Sequence, residues 1–179
     1  LGGPARAASQ VWYLDPIDGT TNFVSGLPWS SFSLALADEE GPLLAVVADP
    51  YRGEIAAATR GGGTTLDGRS ATVSDATAVA GTVVLTEWSG HRPWPGMAAT
   101  LGRIASAYGT VRIMGSSALA LTSVALGRAS GAIIGSYHRV DDLAGVLLAV
   151  ESGARVVERG GGVLVAAPGV FDELDDCWA

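Results

Sequence analysis

Two apolar runs, Ser31–Ala37 and Leu43–Asp49, stand either side of Asp38-Glu39-Glu40-Gly41-Pro42, and that arrangement predicts a β-hairpin. The run Val11-Trp12-Tyr13-Leu14 predicts a strand over 11–15, entered from a loop over 1–10. Glu54–Thr59 reads as another strand, and Gly61-Gly62-Gly63 and Asp67-Gly68 close turns around Thr64–Leu66. The first half is therefore mainly antiparallel sheet, and Thr82–Thr86 opens a second one. Beyond it, strands alternate with helical spans. Helices are predicted over Pro95–Tyr108, Ser117–Leu126 with Ser116 near its cap, Asp141–Ser152 and Phe171–Cys177. Strands are predicted over Thr110–Ile113, Ala132–Ile134, Arg155–Val157 and Val163–Ala166. Strands separated by helices give an α/β class of alternating layers. The chain divides into a mainly antiparallel part, 1–80, and an α/β part, 81–179.

Composition narrows the classes of function. Among 179 residues 48% are apolar, yet no stretch reaches the eighteen consecutive apolar residues of a membrane span. The single cysteine, Cys177, excludes an intramolecular disulfide and suits a cytoplasmic protein. Net charge is −7, from eleven arginines, no lysine and eighteen acidic residues. With no basic stripe, nucleic acid is a poor expected partner. An anionic substrate would need local neutralisation against this field.

The chemistry is concentrated in Asp15-Pro16-Ile17-Asp18-Gly19-Thr20-Thr21-Asn22-Phe23. Asp15 and Asp18 sit three residues apart at a strand end, and carboxylates so crowded repel unless a hard cation lies between them. Gly19, Thr20 and Thr21 follow as small residues at a helix start, where backbone N–H groups form an anion site. Together they point to metal-assisted phosphate chemistry. An ordinary Asp-Gly turn is the plain alternative, but it gives no reason for Asp15. A phosphatase using the first Asp as nucleophile, with the pattern Asp-x-Asp-Gly-Thr, has one residue between its carboxylates; here there are two.

This segment resembles the first signature of the inositol monophosphatase family, with Trp12, Leu14, Asp15, Pro16, Ile17, Asp18, Gly19, Thr20, Phe23 and Ser25 in place. Val140-Asp141-Asp142-Leu143-Ala144-Gly145 resembles the second signature. Asp141 is its acid, because Val140, Leu147, Leu148, Gly153 and Ala154 then keep register. Asp141 and Asp142 also suit a helix N-terminus as caps, and Asp142 has only that expected role. Gly115-Ser116-Ser117-Ala118 is similar to the family's substrate-side turn, and equally fits a plain helix cap. His91 and His138 lack a partner at zinc spacing and are read as incidental.

The resemblance implies an αβαβα sandwich lacking its N-terminal helices, and a lithium-sensitive, Mg²⁺-dependent phosphatase that pairs as a homodimer. Asp15, Asp18, Asp141 and the Ile17 carbonyl would hold Mg²⁺, an assignment that oxygen-only ligation favours over zinc. Asp18 and Thr20 would be catalytic, Thr20 orienting water. Gly19, Thr20, Thr21, Gly115, Ser116 and Ser117 would bind a small phosphorylated metabolite. Three departures stand out. No acidic residue precedes Asp15, where the family has a Glu pair, and Leu1-Gly2-Gly3-Pro4 reads as the loop after a missing segment. Ile134 replaces the sugar-contacting Glu, and an apolar side chain cannot bond a polyol hydroxyl. Leu143 replaces a small residue, and the loop 158–162 is short. Expected substrates are therefore inositol or other sugar phosphates, with histidinol phosphate, fructose bisphosphate or a 3′,5′-bisphosphonucleotide as alternatives. A catalytically silent phosphate- or metal-binding module is the reading from another class.

Overall fold

Ser31, Ser33, Ala35 and Ala37 alternate with Phe32, Leu34 and Leu36, and this alternation sets the first sheet, because the small residues all face inward. In the computed structural model, which describes residues 10–179, β1 (Val11–Asp18), β2 (Ser31–Asp38), β3 (Gly41–Asp49), β4 (Glu54–Thr59), β5 (Gly63–Leu66) and β6 (Arg69–Ala71) pair antiparallel in chain order. The loop expected over 1–10 lies outside the described residues except for Gln10. β1 runs three residues beyond the expected strand, through a register irregularity between Asp15 and Asp18. It is an edge strand, so Pro16 breaks no interior ladder. The unexpected β6 exists because Asp67 and Gly68, both with positive φ, make a tight hairpin back from β5.

The second sheet has the order β10-β11-β9-β7-β8, where β7 is Val83–Thr86, β8 Thr110–Ile113, β9 Gly131–Ile134, β10 Arg155–Arg159 and β11 Gly162–Ala166. β7 runs parallel to β8 and β9, and the other pairs are antiparallel. Its two faces divide the core. Leu85, Ala132, Ile134, Val163 and Val165 meet α3 (Ser117–Ala125) and α4 (Arg139–Glu151), while Val84, Ile133, Leu164 and Ala166 meet α2 (Met97–Ser106) and α5 (Phe171–Cys177).

The small inward residues Ala35, Ala45, Ala56 and Ala58 let α4 lie close against the first sheet. A Cβ on Gly145 would come within 2.6 Å of Leu121 Cβ, so α3 and α4 cross with almost no gap. The layers are thus sheet, helix pair, sheet, helix pair, an α/β layering with the α3/α4 pair shared by both sheets. α4 starts at Arg139 instead of Asp141, which puts both acids inside its first turn. Among the described residues no helix is long and apolar enough to cross a membrane.

Candidate phosphate and metal site

β1, β7 and β9 end, and α1 (Thr20–Ser25), α3 and α4 begin, around one cavity of about 590 Å³. Helix N-termini carry partial positive charge, so three of them here create a field that suits an anion in an otherwise acidic molecule. Asp18, Gly19, Thr20, Thr21, Asp141 and Asp142 are among its lining residues.

Gly19 is the hinge between strand and helix, at φ +84°. A Cβ there would stand 2.8 Å from the Gly115 carbonyl oxygen and 3.0 Å from that of Trp29. Both the conformation and the space therefore require glycine. Asn22 ties the same three strands of chain, donating from Nδ2 to the carbonyls of Trp29 (2.8 Å) and Met114 (2.6 Å). Gly19→Ala is expected to cost about 1–3 kcal/mol in a urea melt and to displace the 19–21 backbone. An unchanged melt would show that the turn relaxes freely.

The acids differ in setting. Asp15 accepts the Ile17 N–H at 2.9 Å, which folds the backbone over its carboxylate. Its carboxyl lies within hydrogen-bonding reach of Asp141, whose pKa rises through burial first and Asp15 second. Asp18 is buried, and its Oδ2 accepts Ser116 Oγ at 2.5 Å and Ala118 N–H at 2.9 Å. Burial, with the charges of Asp15 and Asp141 as smaller additions, pushes its pKa up to about 6. Thr20 donates to the Ile17 carbonyl at 2.9 Å, so that hydroxyl and that carbonyl are held together.

Asp142 is only 1% exposed. Its Oδ2 accepts the His138 N–H at 2.7 Å, the expected capping role, while Oδ1 has no partner. Burial pushes this carboxyl up to about 7. A hard cation suits such a setting: oxygen donors only, desolvated carboxyls that resist ionising alone, and one buried oxygen left over. Among the described residues no three or more His, Cys, Asp or Glu side chains are grouped so that they could hold a metal ion.

Other placements qualify the expectations. Gly115 and Ser117 line the cavity. Ser116 is buried and turns its hydroxyl to Asp18 and, as cap of α3, to the Leu119 N–H. That hydroxyl supports an acid and does not reach into the cavity. His91 and His138, read as incidental, both stand on the cavity wall.

One residue of the wall was missed altogether. Glu87, at the end of β7 and buried, accepts the Gly115 N–H at 2.6 Å and the Met114 N–H at 3.3 Å. Burial, with a smaller addition from Asp18, pushes it up to about 7. Its only sequence signal is an acid ending an apolar strand that heads the Trp88–Pro95 loop.

These carboxyls fix the sign of the pH dependence. In the absence of a cation, Asp18, Glu87 and Asp142 hold protons more tightly folded than at their ordinary values of 3.8–4.5. Their stability contribution is fully present below about pH 4 and is lost as pH rises through 6 to 7. One such group is worth about 3 kcal/mol, roughly 5–10 °C in Tm for a chain this size. The EDTA-treated protein should therefore melt lower at pH 8 than at pH 5, and Mg²⁺ should raise Tm more at pH 8. The opposite trend would show that the carboxyls ionise freely.

A model of the inositol monophosphatase family matches residues 3–174. The chain is 35% identical over 173 residues to the Nus factor SuhB of Pasteurella multocida, covering 91% of this chain and 65% of that protein. It is 35% identical over 160 residues to inositol monophosphatase 2 of Solanum lycopersicum, covering 84% and 58%. The chain thus spans less than two thirds of these relatives' length. Among solved structures, SuhB of Mycobacterium tuberculosis superposes with a TM-score of 0.87 at 32% identity, over 94% of this chain and 71% of that one. The inositol monophosphatase of Anabaena gives the same TM-score at 28% identity, over 94% and 73%. A family model spanning nearly every residue, and solved folds that follow the chain through both sheets, place this protein in the inositol monophosphatase family.

Proposed function

We propose that this chain carries the phosphate-handling part of a Mg²⁺-dependent hydrolase of small phosphate monoesters. The observation that carries the reading is that Asp18 and Asp141 line one cavity with the Gly19 turn, with Asp15 within electrostatic reach of both. Asp15, Asp18, Asp141 and the Ile17 carbonyl would hold Mg²⁺. When bound, the ion would lower the pKa of a water and neutralise charge on the phosphate. The remaining work falls to the chain. Backbone N–H groups of Gly19, Thr20 and Thr21 orient the phosphate oxygens. Thr20, anchored on Ile17, positions a water for attack. Ser116 and the Ala118 N–H keep Asp18 aimed. No side chain need form a covalent intermediate. Lithium inhibition, a homodimer and a cytoplasmic location go with this reading.

Phosphate release from a panel of monoesters, with Mg²⁺ and with EDTA, tests it in the protein as encoded. Mg²⁺-dependent release supports the proposal, and no release from any ester defeats it. Binding without turnover is the second reading, favoured because no three His, Cys, Asp or Glu side chains among the described residues are grouped to hold a metal ion. It predicts phosphate binding with no release. Several relatives are named Nus factor, so for this chain the absence of a nucleic-acid partner rests on its net charge of −7.

A further inference from the structure

Ser89 and Arg92 exchange backbone hydrogen bonds of 2.8 and 3.1 Å, which closes a two-residue hairpin with Gly90 and His91 at its tip. Gly90 has φ +54° and His91 φ +67°. A tip of this kind asks for positive φ at both places, and the second is where glycine is most at home. A residue with a Cβ is disfavoured there, so His91 holds its place against local preference. The hairpin is anchored on both sides. Glu87, just before it, is fixed on the Met114 and Gly115 N–H groups. Trp94, just after it, is buried and donates from Nε1 to Thr86 Oγ1 at 3.3 Å. Gly115 also stands against the Gly19 turn, so the base of the hairpin and the phosphate turn share one support.

The cavity wall includes the acids Asp18, Glu87, Asp141 and Asp142 and the histidines His91 and His138. All but one of these side chains are engaged. Asp18 is held by Ser116 and the Ala118 N–H, Glu87 by its two backbone N–H groups, and Asp142 by the His138 N–H. Asp141 lies within hydrogen-bonding reach of Asp15, and the His138 ring is bonded to Ser136 Oγ at 3.1 Å. The His91 ring, on an exposed residue, has no hydrogen-bond partner among the described residues. An ester whose phosphate sits on the N–H groups of residues 19–21 turns its bridging oxygen and its alcohol into this cavity. When that oxygen leaves it needs a proton, and imidazole is the side chain that gives and takes protons near neutral pH.

We propose that His91 is the general acid that protonates the departing alcohol. The inference rests on the phosphatase reading above and adds a catalytic residue to that same site. A water oxygen forms the new bond to phosphorus, the bond from phosphorus to the ester oxygen breaks, and its electron pair stays on that oxygen. The oxygen takes the proton from a ring N–H of protonated His91, which gives the alcohol. The attacking water loses one proton to solvent, and solvent returns one to the imidazole.

The test compares leaving groups in Mg²⁺. The alkyl ester is inositol 1-phosphate or glycerol 2-phosphate, whichever the wild type hydrolyses faster, and its alcohol leaves poorly without a proton. The aryl ester is p-nitrophenyl phosphate, whose phenolate leaves without one. His91→Asn and His91→Gly both suit positive φ and remove the proton donor. Each should lower kcat for the alkyl ester about 10²-fold, at the low end of general acid catalysis, and leave the aryl ester within about threefold. Free imidazole should restore part of the alkyl-ester rate in His91→Gly. If one variant fails to fold, the other still decides. An equal loss on both esters, wild-type rates on the alkyl ester, or a wild type that hydrolyses the aryl ester alone overturns the inference and leaves the phosphatase reading intact. No hydrolysis of any ester by the wild type overturns the phosphatase reading, and the inference falls with it.

Discussion

Asp18→Asn will reduce Mg²⁺-dependent phosphate release about 10³-fold while leaving the protein folded and, without metal, more stable at pH 8. The loss follows from the charge. On the proposed phosphatase reading, a neutral amide here removes an effect of the size of one key preorganised group, about 10²–10³ in kcat, and would weaken the hold on the cation besides. The gain follows from burial. Asp18 is 8% exposed, and its pKa of about 6 reflects a charge that the fold resists. The amide oxygen of Asn can accept from Ser116 and from the Ala118 N–H as Asp18 Oδ2 does, at no cost for a buried charge. Steady-state phosphate release and a thermal melt in EDTA read the two effects separately. Wild-type turnover in the variant would remove Asp18 from the reaction.

What singled out Asp18 in the sequence was local density: two acids, a glycine and two hydroxyls fall within seven residues. The sheets were readable for a related reason, since period-two stretches such as Ser31–Ala37 sit in strands with one face buried. Local reasoning stopped where long-range contacts decide. The first strand was expected to stop at residue 15, but β1 runs on through Pro16 to Asp18, and its edge position tolerates the proline. Ser116 offered a cap and is one, yet its more consequential bond is to Asp18, ninety-eight residues away in sequence. Asp142 looked like a cap alone, and only the packing of α4 against both sheets shows how fully it is desolvated. The histidines lacked zinc spacing, which was sound reasoning about zinc and said nothing about a cavity wall. Glu87 had no motif at all, because its partners Met114 and Gly115 are brought to it by the parallel pairing of β7 with β8.

Glu87 also carries the second large effect. Its two carboxylate oxygens hold the Met114 and Gly115 N–H groups, that turn presents Ser116, and Ser116 holds Asp18. Gln at this position keeps one acceptor and aims an amide donor at the other N–H, so one end of the turn is pushed away. Glu87→Gln should weaken Mg²⁺ binding about 10–100-fold by calorimetry, the usual effect of removing a group that orients a metal ligand. KM for the ester at saturating Mg²⁺ should stay near the wild-type value, because Glu87 acts through Asp18 and not on the phosphate. Ser116→Ala interrupts the same line one step later and should lose a similar factor. The double variant should lose little more than either single one, since both act on one ligand. Additive losses would mean two separate structural defects, and wild-type Mg²⁺ affinity in Glu87→Gln would break the line at its first link.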